Sequence, residues 1–105
     1  MKKAIYALSA DPLTKGHIDI ILRAANMFEH IIVAIGDNPN KKYTLSKKER
    51  FDTTNSVFYK YSNITIHSFD GALVDFSNKM NENIIIRGLR NINDFQYEQE
   101  LAAIN

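Results

Sequence analysis

One hundred and five residues, 45% hydrophobic and 24% charged, make a single globular domain over 1–105 and exclude disordered, collagen-like and mucin-like chains. A net charge of +1 excludes a dominant nucleic-acid footprint and a binder of acidic membranes, so no nucleic-acid or membrane partner is expected. Zero cysteines exclude disulfides, thiolate metal sites and a cysteine nucleophile.

Lys2 and Lys3 precede a short apolar run over 4–10 that faintly resembles a signal peptide. Tyr6 and Ser9 interrupt it, and a buried strand over 3–8 accounts for it better. No apolar stretch approaches the ~20 residues a bilayer span needs, so the sequence reads as soluble and cytoplasmic. Asp11-Pro12 breaks the first strand. Over 16–28, Ile18, Ile21, Leu22, Ala25 and Phe28 recur at three- and four-residue intervals, which predicts a helix. Residues 30–36 (HIIVAIG) are apolar at successive positions, as in a parallel strand covered on both faces. His30, at its start, reads as an edge or loop residue. Asp37-Asn38-Pro39-Asn40 is turn chemistry. Ser46-Lys47-Lys48-Glu49 matches a capping box and opens a helix over about 47–61, with Phe51, Val57, Phe58 and Tyr61 as its apolar stripe. Residues 63–68 alternate Ile64 and Ile66 with polar residues, the pattern of a more exposed strand, on which His67 has no metal-spaced partner. Asp70 is expected to cap a third helix through about Met80 that buries Leu73, Val74 and Phe76. NIII (83–86) predicts a fourth strand. A loop over 87–93 leads to a last helix from Asp94 toward Asn105.

The order β-α-β-α-β-α-β-α predicts an α/β fold, a doubly wound, mostly parallel sheet of about four strands with helices on both faces. Ligands of such sheets lie at the carboxyl ends of the strands near the switch in strand order. The loops to inspect are therefore 9–16, 36–42, 69–72 and 87–93. The first carries Ser9, Asp11, Thr14, Gly16 and His17. Gly16 would let a ligand come close to the backbone, and the helix start offers free N–H groups to an anion. Ser9 and Thr14 add hydroxyl donors, and His17 can donate to a phosphate oxygen and stabilise developing charge. Taken alone, Thr14 reads equally well as a helix cap and His17 as a first-turn surface residue. No motif with metal-ligand spacing is present. The chain has no nucleophile elbow, so covalent serine catalysis is not expected.

Thr14-Lys15-Gly16-His17 matches the T-x-G-H element of the nucleotidylyltransferase superfamily. The wider string Asp11 to Ile21, with Arg23-Ala24-Ala25, closely resembles the bacterial pantetheine-phosphate adenylyltransferase family. Asn38-Pro39-Asn40-Lys41-Lys42, Glu49-Arg50, Phe69-Asp70-Gly71 with Leu73-Val74-Asp75-Phe76, Ile85-Ile86-Arg87-Gly88-Leu89-Arg90, Asp94-Phe95-x-Tyr97-Glu98 and Leu101-Ala102 extend the likeness almost end to end. The resemblance implies transfer of AMP from ATP to 4′-phosphopantetheine, giving dephospho-CoA and pyrophosphate in coenzyme A biosynthesis. It implies catalytic roles for His17, Lys41 and Arg90. Ser9, Lys41, Leu73 and Arg87 would hold the acceptor. Ser9, His17, Gly88, Arg90 and Glu98 would lie on the nucleotide side. Such transfer requires positioning of two anionic substrates and neutralisation of charge on phosphate oxygens, work suited to arginine forks and lysine.

Two departures stand out. Ala7-Leu8-Ser9-Ala10 replaces the family's Pro-Gly-Thr/Ser-Phe, keeping only the hydroxyl, and alanine lacks glycine's freedom at positive φ. The resemblance also implies a further C-terminal strand, a serine-rich nucleotide motif and closing helices beyond Asn105. Two alternatives therefore stand beside the enzyme. One is a shortened, weak or inactive relative that binds a phosphopantetheine-like ligand or a partner protein. The other is a nucleotidylyltransferase with a different phosphorylated acceptor. The family is similar to a dimer of trimers, and apolar Leu101, Ala102, Ala103 and Ile104 are expected to seek a neighbouring chain in a smaller or altered homo-oligomer.

Overall fold

Apolar runs become strands, and three- and four-residue periodicities become helices. The computed structural model describes residues 2–82 and 84–87. In chain order these are β1 (Lys3–Leu8), α1 (Lys15–Met27), β2 (His30–Asp37), α2 (Lys47–Phe58), β3 (Ile64–Asp70), α3 (Leu73–Lys79) and β4 (Ile85–Arg87). The strands form one parallel sheet in the order β3-β2-β1-β4. The chain moves outward from β1 to β3 and then returns to β1's other side. The switch in strand order thus falls at β1, where a crevice is expected beyond the carboxyl ends. The last predicted helix, the loop after Arg87, Gly88, Arg90, Glu98 and the apolar residues 101–104 lie outside the described residues.

The central strands alternate between two cores. Ala4 and Tyr6 of β1, Ile31 and Val33 of β2 and Ile64 of β3 pack with Ile21 and Ala24 of α1 and Phe58 of α2. The opposite parity, Ile5, Ile32 and Ala34, meets Phe76 of α3, with Phe69, Leu73 and Met80 packed around it. Helices therefore cover both faces, and β1 and β2 are apolar at successive positions for that reason. The run 4–10 is largely buried strand and loop. No helix among the described residues is long and apolar enough to cross a membrane.

Three expectations need correction. The second helix ends at Phe58, and of its expected stripe Phe58 is buried whereas Val57 and Tyr61 are 39% and 44% exposed; the inner face is Arg50, Thr54 and Phe58. Those three repeat every four residues, so the period is helical, but two are polar and escape a hydrophobicity reading. Their polar atoms are satisfied; the Thr54 hydroxyl, for example, donates to the Arg50 carbonyl at 2.8 Å. Asp70 does not cap the third helix. It ends β3 and accepts from Lys47 Nζ at 3.1 Å, while the cap residue Ala72 makes no side-chain cap bond. Val74 is 61% exposed, because α3 turns Phe76 and Ser77 to the sheet instead. The remaining differences are in boundaries: β3 runs on to Asp70, and β4 spans Ile85–Arg87.

Candidate active site

The end of β1 opens into a hollow of about 370 Å³ lined by Ser9, Ala10, Asp11, Pro12, Thr14, His17, Lys41 and Tyr43. Three of the residues singled out by sequence, Ser9, His17 and Lys41, thus meet in one place, beside the switch in strand order. Arg87 ends β4, in register with Ala7 two residues before Ser9, so its backbone arrives at the same sheet edge. Leu73 does not line the hollow; it is half-buried in the α3 core. His30 and His67 lie away from it. The His30 ring meets the Thr65 hydroxyl at 3.0 Å, and His67 packs near Phe76 with ring centroids 6.1 Å apart.

Thr14 caps α1 and His17 completes the box, so the cap and the ligand role are compatible. The His17 N–H donates to Thr14 Oγ1 at 3.3 Å, and the Thr14 N–H donates to His17 Nδ1 at 3.1 Å. A nitrogen that accepts from an amide cannot itself carry a proton, so the neutral ring holds its hydrogen on Nε2. Nε2–H is then left to donate to an anion at the helix start. Burial holds the His17 imidazole below its ordinary 6.5. A neutral ring also avoids the repulsion a cation meets at a helix N-terminus. Burial and the nearby His30 lower His67 in the same way. With both pKa values depressed, the folded chain binds fewer protons than the unfolded chain just below 6.5. Stability is therefore full above that pH, declines as pH falls through it, and levels off below the folded-state values. Urea unfolding of the free chain is expected to show a lower midpoint at pH 5.5 than at pH 7.5, and His67→Asn should shrink the difference to the part His17 contributes.

Gly16 is not demanded by the chain's own packing, since a Cβ there would meet only Thr14 Oγ1 at 3.6 Å, an ordinary contact. The positive φ falls instead on Ala10, at 54°, with its side chain buried. Ala10 stands where the resemblance places phenylalanine and takes the left-handed conformation at a cost of about 1–2 kcal/mol, while Leu8, at the glycine's place, ends the extended β1.

What fixes the loops is a scaffold the sequence reading missed. Arg50 is 1% exposed. Its guanidinium donates to the carbonyls of Gly36 (2.9 Å), Ser9 (3.2 Å) and Leu45 (3.3 Å) and pairs with Asp37. One side chain therefore ties together the carboxyl ends of β1 and β2 and the approach to α2. Asp37 and Asp70 oppose one another in register, and each is offset by its own cation, Arg50 and Lys47. Asp11 reaches across the hollow's rim to accept from the N–H groups of Thr44 (2.8 Å) and Leu45 (2.7 Å). Those two bonds, helped by Arg50 and Lys41, hold its carboxyl below the usual carboxylate range. It is an ionised strut rather than a base. Tyr6 is equally unsuited to proton transfer, since burial pushes its phenol up to about 12.

The turn carrying Lys41 is built locally. Asn38 Oδ1 accepts from the Asn40 N–H at 3.0 Å, and the Asn38 carbonyl accepts from the Lys41 N–H at 3.0 Å. Tyr43 closes it: its hydroxyl accepts from the Asn38 N–H at 2.8 Å, and both the Arg50 guanidinium and Lys41 Nζ lie over its ring.

A parallel sheet with an anion-ready helix start and a lysine-bearing turn at its switch point is the layout of a nucleotidyltransferase of Rossmann-like fold. Solved structures agree on the fold. The NadR protein in complex with NAD and AMP-PNP superposes at TM-score 0.66 with 17% identity, over 94% of this chain and 33% of that one. The lipopolysaccharide core biosynthesis protein from Thermoplasma volcanium GSS1 does so at 0.65 with 11% identity, over 99% of this chain and 88% of that one. Residues 6–105 match the cytidylyltransferase-like family, and the chain belongs to it. Within it, the chain is similar to the phosphopantetheine adenylyltransferases of Vesicomyosocius okutanii (50% identical over 106 residues) and of Clostridium perfringens and Caldanaerobacter subterraneus (44% and 45% over 105). All of this chain is covered in each case, together with 67%, 64% and 66% of the relative, so the chain spans about two thirds of their length.

Proposed function

We propose that this chain carries the acceptor and transfer half of a cytoplasmic phosphopantetheine adenylyltransferase, moving AMP from ATP to 4′-phosphopantetheine. A phosphate oxygen of the acceptor attacks the α-phosphorus of ATP in line. A new P–O bond forms, the bond from the α-phosphorus to the bridging oxygen breaks, and pyrophosphate leaves with that electron pair. No protein nucleophile is required. The reading is carried by the gathering of Ser9, Thr14, His17 and Lys41 around one hollow at the β1 switch point, and the similarity to the named relatives supports it.

Neutral His17 would donate Nε2–H to an α-phosphate oxygen, where negative charge grows as the bond order changes. Ser9 would hold a phosphate oxygen, and Lys41 and Arg87 the acceptor phosphate. Leu73 would line the pantetheine arm, and Gly88, Arg90 and Glu98 would serve the nucleotide. Among the described residues no group of three or more His, Asp or Glu side chains is placed to hold a metal, and the Asp11 carboxylate is committed to backbone N–H groups. Mg²⁺ would therefore arrive on the oxygens of ATP and supply charge neutralisation there.

Calorimetry with ATP and with phosphopantetheine, combined with a pyrophosphate-release assay, tests the reading. The expected result is binding of both and pyrophosphate formation that depends on the acceptor. Tight acceptor binding with no pyrophosphate would leave a binding module in its place.

A further inference from the structure

We infer that Tyr43 is a positioning residue for Lys41, holding the lysine's ammonium at the mouth of the hollow by locking it to the buried Arg50. The inference rests on the proposed adenylyl transfer and adds a residue to it.

Three observations meet on this one side chain. The Arg50 guanidinium carbon lies 3.8 Å from the centre of the Tyr43 ring, close enough for stacking. Arg50 is itself immobilised by three backbone carbonyls and Asp37, so the ring rests on the most firmly held cation in the region. The Lys41 ammonium lies 5.6 Å from the same ring centre, within cation–π range. The Tyr43 hydroxyl, meanwhile, accepts the Asn38 N–H at 2.8 Å and so fixes the start of the turn on which Lys41 sits.

The chemistry explains why such a clamp is useful. Lys41 is an exposed lysine on a turn. Left free, its four-carbon stem would sample many rotamers, and ordering it on a phosphate would cost conformational entropy. An aromatic face attracts the ammonium without neutralising it, so the charge stays available to an anion. A carboxylate partner would instead compete with the phosphate. Tyr43 thus pre-orders Lys41 while leaving it cationic, and it passes the rigidity of the strand ends to a surface turn.

Binding of 4′-phosphopantetheine by calorimetry and the Lys41 side-chain resonances by NMR test this in five chains: parent, Tyr43→Leu, Tyr43→Phe, Lys41→Met and the double variant Lys41→Met/Tyr43→Leu. In the parent, the Lys41 ε-methylene protons should be shifted upfield by the ring current. Tyr43→Phe should keep that shift and Tyr43→Leu abolish it. Acceptor affinity should fall about tenfold in Tyr43→Leu, the scale of one partly desolvated cation–π contact, and recover most of that loss in Tyr43→Phe. In a Lys41→Met background, Tyr43→Leu should cost nothing more, because its effect runs through Lys41. An equal loss with and without Lys41 would make Tyr43 a purely structural residue and overturn the inference. An unshifted Lys41 resonance in the parent would do the same while leaving adenylyl transfer standing. A parent that binds no acceptor would remove the transfer reading, and the resonance comparison would still decide the clamp. Should Tyr43→Leu fail to fold, the parent and Tyr43→Phe shifts carry the decision.

Discussion

Replacing His17 by Ala is expected to slow acceptor-dependent pyrophosphate formation on the order of hundreds-fold, the usual loss when one preorganised donor to a developing oxyanion is removed. Affinity for phosphopantetheine should stay nearly unchanged, because the acceptor phosphate is assigned to other groups. Since the Nε2–H bond is strongest when charge builds on the α-phosphate, kcat and kcat/KM should fall together. The ring also has a second job, as half of the capping box, with Nδ1 accepting the Thr14 N–H. His17→Ala therefore should lose about 1 kcal/mol of stability as well. His17→Gln separates the two roles. A glutamine at this position can accept the Thr14 N–H, as in ordinary capping boxes, and should restore the stability without the rate. If His17→Ala turned over at the parent rate, His17 would be a helix cap only.

The difference between the two roles of His17 also shows how far the sequence alone could reach. Thr14-x-Gly16-His17 is local, so its cap and its position at a helix start could be read directly, and the loop rule for parallel sheets put Ser9 and Lys41 at the same edge. The strands were legible because β1 and β2 are apolar on both parities, which matches helices on both faces. The second helix was misread because its inward face meets strand-end carbonyls as well as the apolar core. Carbonyls need donors, so Arg50 sits where a hydrophobic period would place leucine. A lone arginine four and eight residues ahead of Thr54 and Phe58 was the only sign, and charge is ordinarily assigned to solvent. Asp70 failed for a related reason: an aspartate after a strand can start a helix or end a sheet, and its partner Lys47 lies 23 residues away. Tyr43 was invisible because both of its cations come together only in the folded chain.

Arg50→Met should lower stability by about 3 kcal/mol, a large part of the 5–15 kcal/mol that holds a domain of this size together. Methionine keeps an unbranched stem of similar length but removes every donor. The carbonyls of Ser9, Gly36 and Leu45, all on half-buried residues, then lose their partner at the strand ends, and each left unpaired costs about 1 kcal/mol, the low end for such groups. Asp37 loses its cation too, but 27% of its side chain is exposed. Water can therefore take up part of its charge, which keeps the total at the lower end of the 3–5 kcal/mol typical of a broken buried pair. At about 4–8 °C per kcal/mol for a small domain, the melting temperature should drop by more than about 12 °C. Arg50→Lys should recover only part of this, since one ammonium cannot reach three divergent carbonyls and Asp37 at once. Adding Asp37→Asn to Arg50→Met should return some stability by removing the stranded charge. Because the guanidinium grips the carbonyl of Ser9 itself, Arg50→Met should also weaken phosphopantetheine binding under conditions where the variant is still folded. Urea unfolding at pH 7.5 checks the stability order parent, Lys, double variant, Met. An Arg50→Met chain that melts within a degree or two of the parent would show that the strand ends are held by something other than this buried cation.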